Sequence, residues 1–414
     1  MLRKLVRFEL KKQLSGPFIL IALCLLLVVT VLLNCGIREY NEVKKMTEEA
    51  GMEYQWTFWE SRGGFIKAMM DSKKSTREQY ALIEADGDNF ATAMAEKYGE
   101  EVLSSQSIMA MPEEIYDTPG YFGDRWSDGS MLHPYQRVQT WNEDLQATLE
   151  KTLAAAKDYG REALEEGDNY GVRRNIDIIQ LYTVPRGKIT SPVTGWDDLL
   201  FDSQAMLFAF LMILLTCGGT FSTERERQTV LLLHTAKNGK GKTMAAKYLS
   251  GAIIATGLTL LFQGFALAAI WFKEGGLLGL NQPAAAMEQL TLISWPVTVG
   301  QFVLIHLACQ IFAAVVLSVV INTISALSKN SVLSYVVGVL VLGLFLIAQG
   351  ANVKWLAGPL SLVNTVNYFD SYCTANLFGF PVLWIIVQSV LWLIVSGLCV
   401  HSANRIFHRK GTVV

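Results

Sequence analysis

Charge is scarce in this 414-residue chain: Asp, Glu, Lys and Arg make up only 17% of it, while 51% is hydrophobic. An ordinary soluble protein carries roughly 25% charged residues. The shortfall points away from a soluble domain and towards a membrane protein. The usual hydrolytic equipment is missing as well. There is no HExxH, no pair of cysteines in the long polar segment and no Ser-His-Asp signature, and His133 is the only histidine between residues 36 and 198. A membrane-embedded enzyme is disfavoured on that ground, and neither a metal site nor a nucleic-acid partner is expected. Of the six cysteines, Cys24, Cys217, Cys309 and Cys399 lie inside apolar runs and read as packing residues. Cys35 and Cys373 lie at or near the ends of such runs, where a bridge is conceivable but not required.

Apolar runs are what the chain has in abundance. A spanning helix needs roughly 20 mostly apolar residues, and six stretches qualify: 17–35, 199–221, 248–272, 298–324, 331–350 and 381–402. Helices satisfy their own backbone hydrogen bonds, so they can cross lipid. The predicted fold is therefore an all-α integral membrane protein of six transmembrane helices. A surface helix over 1–16 precedes them, and a large, mainly helical extracytoplasmic domain over 36–198 separates the first two. The remaining pieces are a cytoplasmic loop at 222–247, an outer loop at 351–380 and a cytoplasmic tail at 403–414.

The net charge of −2 averages two unlike parts: residues 36–198 carry −12 and the rest carries +10. Lys and Arg placement sets orientation. Fifteen basic residues fall on one side: Arg3, Lys4, Arg7, Lys11, Lys12, six in 222–247, Lys329, Arg405, Arg409 and Lys410. Only Lys273 and Lys354 occupy the opposite short loops. Both termini are expected in the cytoplasm and the acidic segment outside. The first apolar run is long for a secretory signal and no Ala-x-Ala site follows it. Its "LLNC" ending has Asn34 where a lipoprotein cleavage box wants a small residue. A retained span is the expectation.

Ala236 to Thr243, "AKNGKGKT", satisfies the loose consensus of a phosphate-binding loop. That motif works only where a strand feeds it and a helix leaves it, so that backbone N–H groups converge on phosphate. Here no strand precedes it and the loop holds too little chain for a nucleotide fold. It reads instead as a basic, flexible turn facing anionic headgroups. Upstream, "FSTERERQTVLLL" reads as a short charged helix, with Thr223 and Glu226 at capping-box spacing. At the N-terminus, Leu2, Leu5, Val6, Leu10 and Leu14 share one helical face, with Lys4, Arg7 and Lys11 opposite, as in a helix lying along a membrane. Pro17 suits the start of the span that follows.

Taken in order, these stretches resemble the type-2 ABC transporter permeases of bacteria. "LRKLVRFELKKQLSGPFIL" is similar to that family's N-terminal surface helix and first span. "GWDDLLFDSQAMLFAFLMILLTCGGTFSTERERQTVLLLHTAKNGKGKTMAAKYLSG" resembles its second span, coupling helix and third-span start. Within it Phe221, Glu224, Leu231 to Leu233 and Lys247 match the pattern "F-x-x-E … LL … K". "INTISALSKNSV", "LAGPLSLVN" and "NLFGFPV" are similar to the later turns. The likeness covers about 250 residues, everything but the outer segment. It implies a permease in a bacterial plasma membrane, driven by a separate cytoplasmic ABC ATPase that holds the ATP and Mg, so that this chain needs no cofactor. It also implies a second permease chain, identical or related, and contact with membrane lipids. The residues it assigns to ATPase coupling are Glu224, Arg225, Glu226, Arg227, Thr229 and Leu232. The family often has Gly-Arg after the coupling helix; Gly239-Lys240 and Gly241-Lys242 stand there instead, and Lys lacks Arg's bidentate geometry.

In the outer segment, helical runs are expected from Ser75 towards Ser105, from about Pro134 to Glu166 and over roughly 172–183, with an ordered loop at 111–134. Trp56, Trp59, Tyr121 and Trp126, with Tyr54, Phe58 and Phe122, form either a ligand surface or a core. Inside the spans Gln263, Gln301, His306, Gln310 and Asn322, besides Asp202 and Gln349, are candidates for pathway lining or for interhelical hydrogen bonds. His306 and Gln310 lie four apart on one face, with Gln301 roughly a turn away. The function indicated is the permease subunit of an exporter of lipophilic, peptide or polysaccharide cargo. The alternative is a sensor or immunity protein whose outer domain binds a ligand.

Overall fold

The computed structural model describes residues 2–35, 133–190, 193, 195–201, 204–229, 241–274, 276–351 and 358–409. Among them, six segments are long and apolar enough to cross a bilayer: Pro17–Asn34, Trp196–Glu226, Gly241–Lys273, Val299–Leu327, Ser331–Gly350 and Trp384–Ile406.

Helix α1 (Leu2–Leu14) ends at Gly16, whose extended backbone (φ −71°, ψ 127°) turns the chain into α2 (Pro17–Asn34), with Pro17 at its first position. Thr30 and Asn34 return their polar groups to the carbonyls of Leu26 and Thr30, at 2.8 and 2.9 Å. That leaves α2 a nearly bare apolar rod, with Phe18, Ile21, Leu25 and Val28 exposed.

Next come α3 (His133–Glu166) and α4 (Asn169–Thr183), two antiparallel helices on the side of the bundle opposite α1. Gly167, at φ +74°, closes α3, and the Asp168 amide bonds the Ala163 carbonyl at 2.8 Å. This is the 6→1 closure that a left-handed glycine permits. Asp168 then caps α4 by accepting from Tyr170 N–H at 3.1 Å.

The second apolar segment holds α5 (Trp196–Phe201) and α6 (Gln204–Cys217), followed by the short α7 (Ser222–Glu226). After it come α8 (Gly241–Lys273), α9 (Val299–Leu327) and α10 (Ser331–Gly350). Helices α6, α8 and α9 form the centre: Met206, Phe210, Ile213, Phe262, Ile270, Phe302 and Leu317 are sealed from solvent there. The α5 and α8 ends meet through Lys273, whose Nζ lies 2.5 Å from Asp198 Oδ2 and 3.8 Å from Glu274 Oε1. A buried irregular stretch follows α10, with a 3-10 turn at Gly358–Leu362 and α11 (Val366–Phe369), packed among α9, α10 and the last helix. A hairpin, β1 (Thr374–Leu377) and β2 (Phe380–Leu383), runs straight into α12 (Trp384–Arg409).

Several expectations need correction. The last span was expected from 381, yet 381–383 belong to β2, and the helix runs on to Arg409. The second segment begins earlier and runs longer than 199–221, the third starts at Gly241 rather than 248, and the fourth ends at Leu327 rather than 324. Cys35 and Cys373, where a bridge was conceivable but not required, both carry thiols rather than a disulfide, so nothing changes there. The helices expected at about 134–166 and 172–183 in the acidic segment are α3 and α4; the run from Ser75 and the loop at 111–134, save its last two residues, which belong to α3, lie outside the described residues.

Candidate functional site: the α7 junction

The sequence of α7, Ser-Thr-Glu-Arg-Glu, is too short to be stable alone. Neighbours hold it from both sides. Its N-cap residue, Phe221, offers no side-chain acceptor. The hydroxyl of Ser325 in α9 takes that role, accepting from the amides of Phe221 and Ser222 at 3.0 and 3.1 Å. The predicted capping box is not formed. Glu226 instead turns outward and accepts from the Ser331 amide at 3.3 Å and the Ser331 hydroxyl at 2.6 Å, at the first turn of α10. A carboxylate suits the positive end of that helix.

Arg225 binds the opposite polarity. Its Nη2 donates to Ala326 O at 2.7 Å and its Nη1 to Ser328 O, at the C-terminal end of α9. These carbonyls have no partner within their own helix, and a guanidinium fork serves two at once. Arg225 and Glu226 thus grip the two sides of the α9–α10 turn.

Glu224 reaches the other way, into a buried knot of charge. Its Oε1 accepts from Lys247 Nζ at 2.7 Å and from Lys12 Nζ at 2.5 Å. Lys247, on the first two turns of α8, is fully buried. It also donates to Thr220 O at 2.8 Å and pairs with Glu9 Oε2 at 3.4 Å, and its Nζ lies 5.1 Å from the centre of the Phe221 ring. From α1, Gln13 Nε2 adds a bond to Thr220 Oγ1 at 3.2 Å. Burying charge is expensive unless each ion is paired and hydrogen-bonded. Two lysines facing two carboxylates pair every ion, although Glu224 Oε2 is buried without a hydrogen-bond partner among the described residues. One five-residue helix is therefore bound to α1, α8, α9 and α10.

The amphipathic reading of α1 needs amending in consequence. Its protein-facing side carries Val6, Glu9 and Gln13, while Leu2 and Leu14 are exposed. Lys4, Arg7 and Lys11 do face outward.

Other predicted site residues scatter. Arg227 and Thr229 lie exposed beyond α7, with Thr229 Oγ1 donating to Glu224 O at 3.1 Å; Leu232 lies outside the described residues, as does most of "AKNGKGKT". His306 and Gln310 do share a face and a bond, Gln310 Nε2 to His306 Nε2 at 2.8 Å, and His306 Nδ1 meets Thr365 Oγ1 at 2.5 Å. Gln301 is not with them: it is exposed and completes a capping box with Thr298 at the start of α9. Asn322 is buried about 24 Å further along α9 by helical rise, against Gly251 of α8, and Gln263 is buried on α8. Trp56, Trp59, Tyr121, Trp126 and Asp202 lie outside the described residues.

Nothing local in the sequence singles out Lys12 or Ser325; Lys247 stands both among the basic residues of 222–247 and at the Lys of the family pattern, which does not by itself reveal its burial. For Glu9 and Gln13 a signal was available: one helical turn apart, they interrupt the apolar face of α1.

On the side away from α1, the structure braces α4. Tyr182 Oη donates to Leu292 O at 2.5 Å, and Arg186 stacks on the Tyr182 ring at 4.5 Å. Burial pushes the Tyr182 phenol up and the Arg186 guanidinium down from their ordinary values. Tyr372 Oη donates to Asp177 Oδ2 at 2.9 Å, and burial, then that carboxylate, raises the phenol.

No curated protein and no solved structure matches the chain. A family model described as "ABC-2 family transporter protein" matches residues 75–402, from within the long acidic segment almost to the end of the last candidate span. With the spans and the α7 junction this is decisive: the chain belongs to the ABC-2 transporter family and is a multi-pass membrane permease component of an ABC transporter.

Proposed function

We propose that α7 is the element through which a separate ATPase drives this permease. The observation that carries the reading is the Glu224 knot: one short helix tied by a buried ion pair to α8, by a partly exposed one to α1, and by Arg225 and Glu226 to the α9–α10 turn. A displacement of α7 must move all four elements or break charge pairs inside protein, and the second costs several kcal/mol. Its uncovered end, Arg227 and Thr229, is the surface offered to the partner. The fifteen-to-two bias of basic residues supports α7 on the cytoplasmic side and α3 and α4 outside, in the plasma membrane of a bacterium. In this reading ATP and Mg stay on the ATPase, a second permease chain completes the pathway, and the cargo is a lipophilic, peptide or polysaccharide molecule moved outward. The His306–Gln310–Thr365 chain serves as an internal tie between α9 and the stretch before α11.

The test is reconstitution with the partner ABC ATPase. Charge reversal at Arg227, which touches none of the buried knot, should abolish cargo-dependent ATP hydrolysis and leave the melting profile unchanged. Normal coupled turnover in Arg227→Glu and in Arg227→Glu/Thr229→Asp would overturn the assignment. Ligand-dependent signalling that persists without ATP turnover would favour the sensor alternative.

A further inference from the structure

The β1–β2 hairpin presents an aromatic residue at a place where its backbone resists it. Leu377 pairs with Phe380, so the loop is just Phe378 and Gly379, at φ 53° and 84°. Two positive φ values make the mirror-image turn that normally carries Asn, Asp or Gly in both positions. Gly379 fits; a phenylalanine in the left-handed region is strained. The strain brings no burial in return, because Phe378 is 97% exposed, and Leu377 and Phe380 beside it are exposed as well.

The tip is nonetheless held firmly. Asn376 Oδ1 accepts from the Gly379 amide at 2.8 Å, and Tyr170 Oη meets Thr374 Oγ1 at 2.9 Å. Arg173 lies over the Phe380 ring at 3.9 Å and donates to Gly379 O at 3.4 Å. A rigid, strained, uncovered aromatic is a device for contacting something outside the chain.

Where the tip sits relative to lipid follows from α12. Its apolar stretch runs from Trp384 to Val400, seventeen residues, before His401. At ~1.5 Å per residue this covers about 25 Å, some 5 Å short of a hydrocarbon core of roughly 30 Å. Extra length comes from β2, whose four residues Phe-Pro-Val-Leu are all apolar, or from the turns beyond His401, since the candidate span runs on to Ile406. The hydrocarbon boundary then lies at β2 or within the first turn of α12. The tip stands at most about 13 Å beyond Trp384, or about 9 Å if the strand inclines by ~45°, against a headgroup layer roughly 5–8 Å deep. The exposed face also continues into lipid-facing Ile386 and Val390 of α12. On an interfacial apolar face Phe, like Trp and Leu, buries into the headgroup–acyl boundary, and the adjoining Arg173 guanidinium suits lipid phosphate.

We propose that the Leu377–Phe380 tip is a lipid contact, with the Phe378 ring seated in the headgroup layer of the leaflet away from α1. The test places 4-trifluoromethylphenylalanine, close in shape to the native side chain, at position 378 of the full-length protein. The protein is reconstituted in its assembled form in nanodiscs of phosphatidylcholine and phosphatidylglycerol. Fluorine NMR linewidths are then compared with nitroxide-headgroup lipid or with a water-soluble gadolinium chelate. The expected result is at least threefold stronger broadening by the lipid label. Stronger broadening by the aqueous agent would overturn the proposal. So would protection from both agents, which would mean that protein, a second copy or another part of this chain, covers the ring.

Discussion

Removing the two central charges of the knot should have very unequal effects. Replacing Lys247 with Met leaves Glu9 and Glu224, both buried, facing only the partly exposed Lys12. Stripping a buried ion of its partner costs about 3–5 kcal/mol. Replacing Glu224 with Gln instead leaves Lys247 balanced by Glu9 at 3.4 Å and by Thr220 O at 2.8 Å, while Lys12 can swing into water. The amide oxygen can still accept, so the loss is about 1–1.5 kcal/mol, the low end for a hydrogen bond to a charged group. At ~2–4 °C per kcal/mol, the value for a chain of 150–250 residues and an upper bound for this longer one, K247M should lower the melting midpoint by about 6–20 °C at most and E224Q by about 2–6 °C at most. The assay is a thermal melt of the purified assembly in nanodiscs followed by intrinsic fluorescence. In the E224Q background, K247M should cost less than it does alone, because one fewer carboxylate is abandoned. Equal damage from the two single changes, or strict additivity in the double variant, would refute the argument that buried charge balance holds α7 in place.

Other expectations follow from close contacts elsewhere. A methyl group at Gly251 would come within 2.4 Å of Asn322 Nδ2, whereas at Gly257, one and a half turns along the same helix, it would meet nothing within 4 Å. Gly251→Ala should therefore destabilise by about 1–3 kcal/mol, and Gly257→Ala should be neutral or stabilising by up to about 1 kcal/mol, measured by parallel melts. Arg225→Ala should cost about 1.5–3 kcal/mol, with Arg225→Lys recovering only part because an ammonium cannot fork to Ala326 O and Ser328 O together. The Tyr372 phenol is held above its ordinary value of about 10. The folded state keeps that proton longer than the unfolded state, so the stabilisation is complete below about pH 10 and drains away as pH climbs towards the folded value. Tyr372→Phe should flatten this alkaline loss, followed by near-ultraviolet circular dichroism of the protein from pH 9 to 12.

The spans were legible because each apolar run exceeds what a soluble helix or strand would carry, and the error lay at their ends. Lys247 shows why. A lysine seven residues into a helix, just after Gly239, Gly241 and several other lysines, has the sequence context of a solvated loop. Only the approach of α1 and α7 encloses it, and those contacts span 23 and 238 positions in sequence. The same distance problem misled at Glu226, whose spacing from Thr223 satisfied a local rule while a closer match, Ser331, lay across the turn. The hairpin was hidden for another reason. "NLFGFPV" lacks the Asn-Gly or Asp-Gly pair that advertises a two-residue turn, since Phe occupies the first loop position.

The order of charges along α7 has a directional consequence. Position 225 is cationic and addresses carbonyl oxygens; position 226 is anionic and addresses an amide and a hydroxyl. Exchanging them as R225E/E226R conserves composition, net charge and helix propensity, yet sets like polarity against like at both mouths of the α9–α10 turn. Two adjacent letters therefore act as a key that admits the membrane hairpin in one sense only.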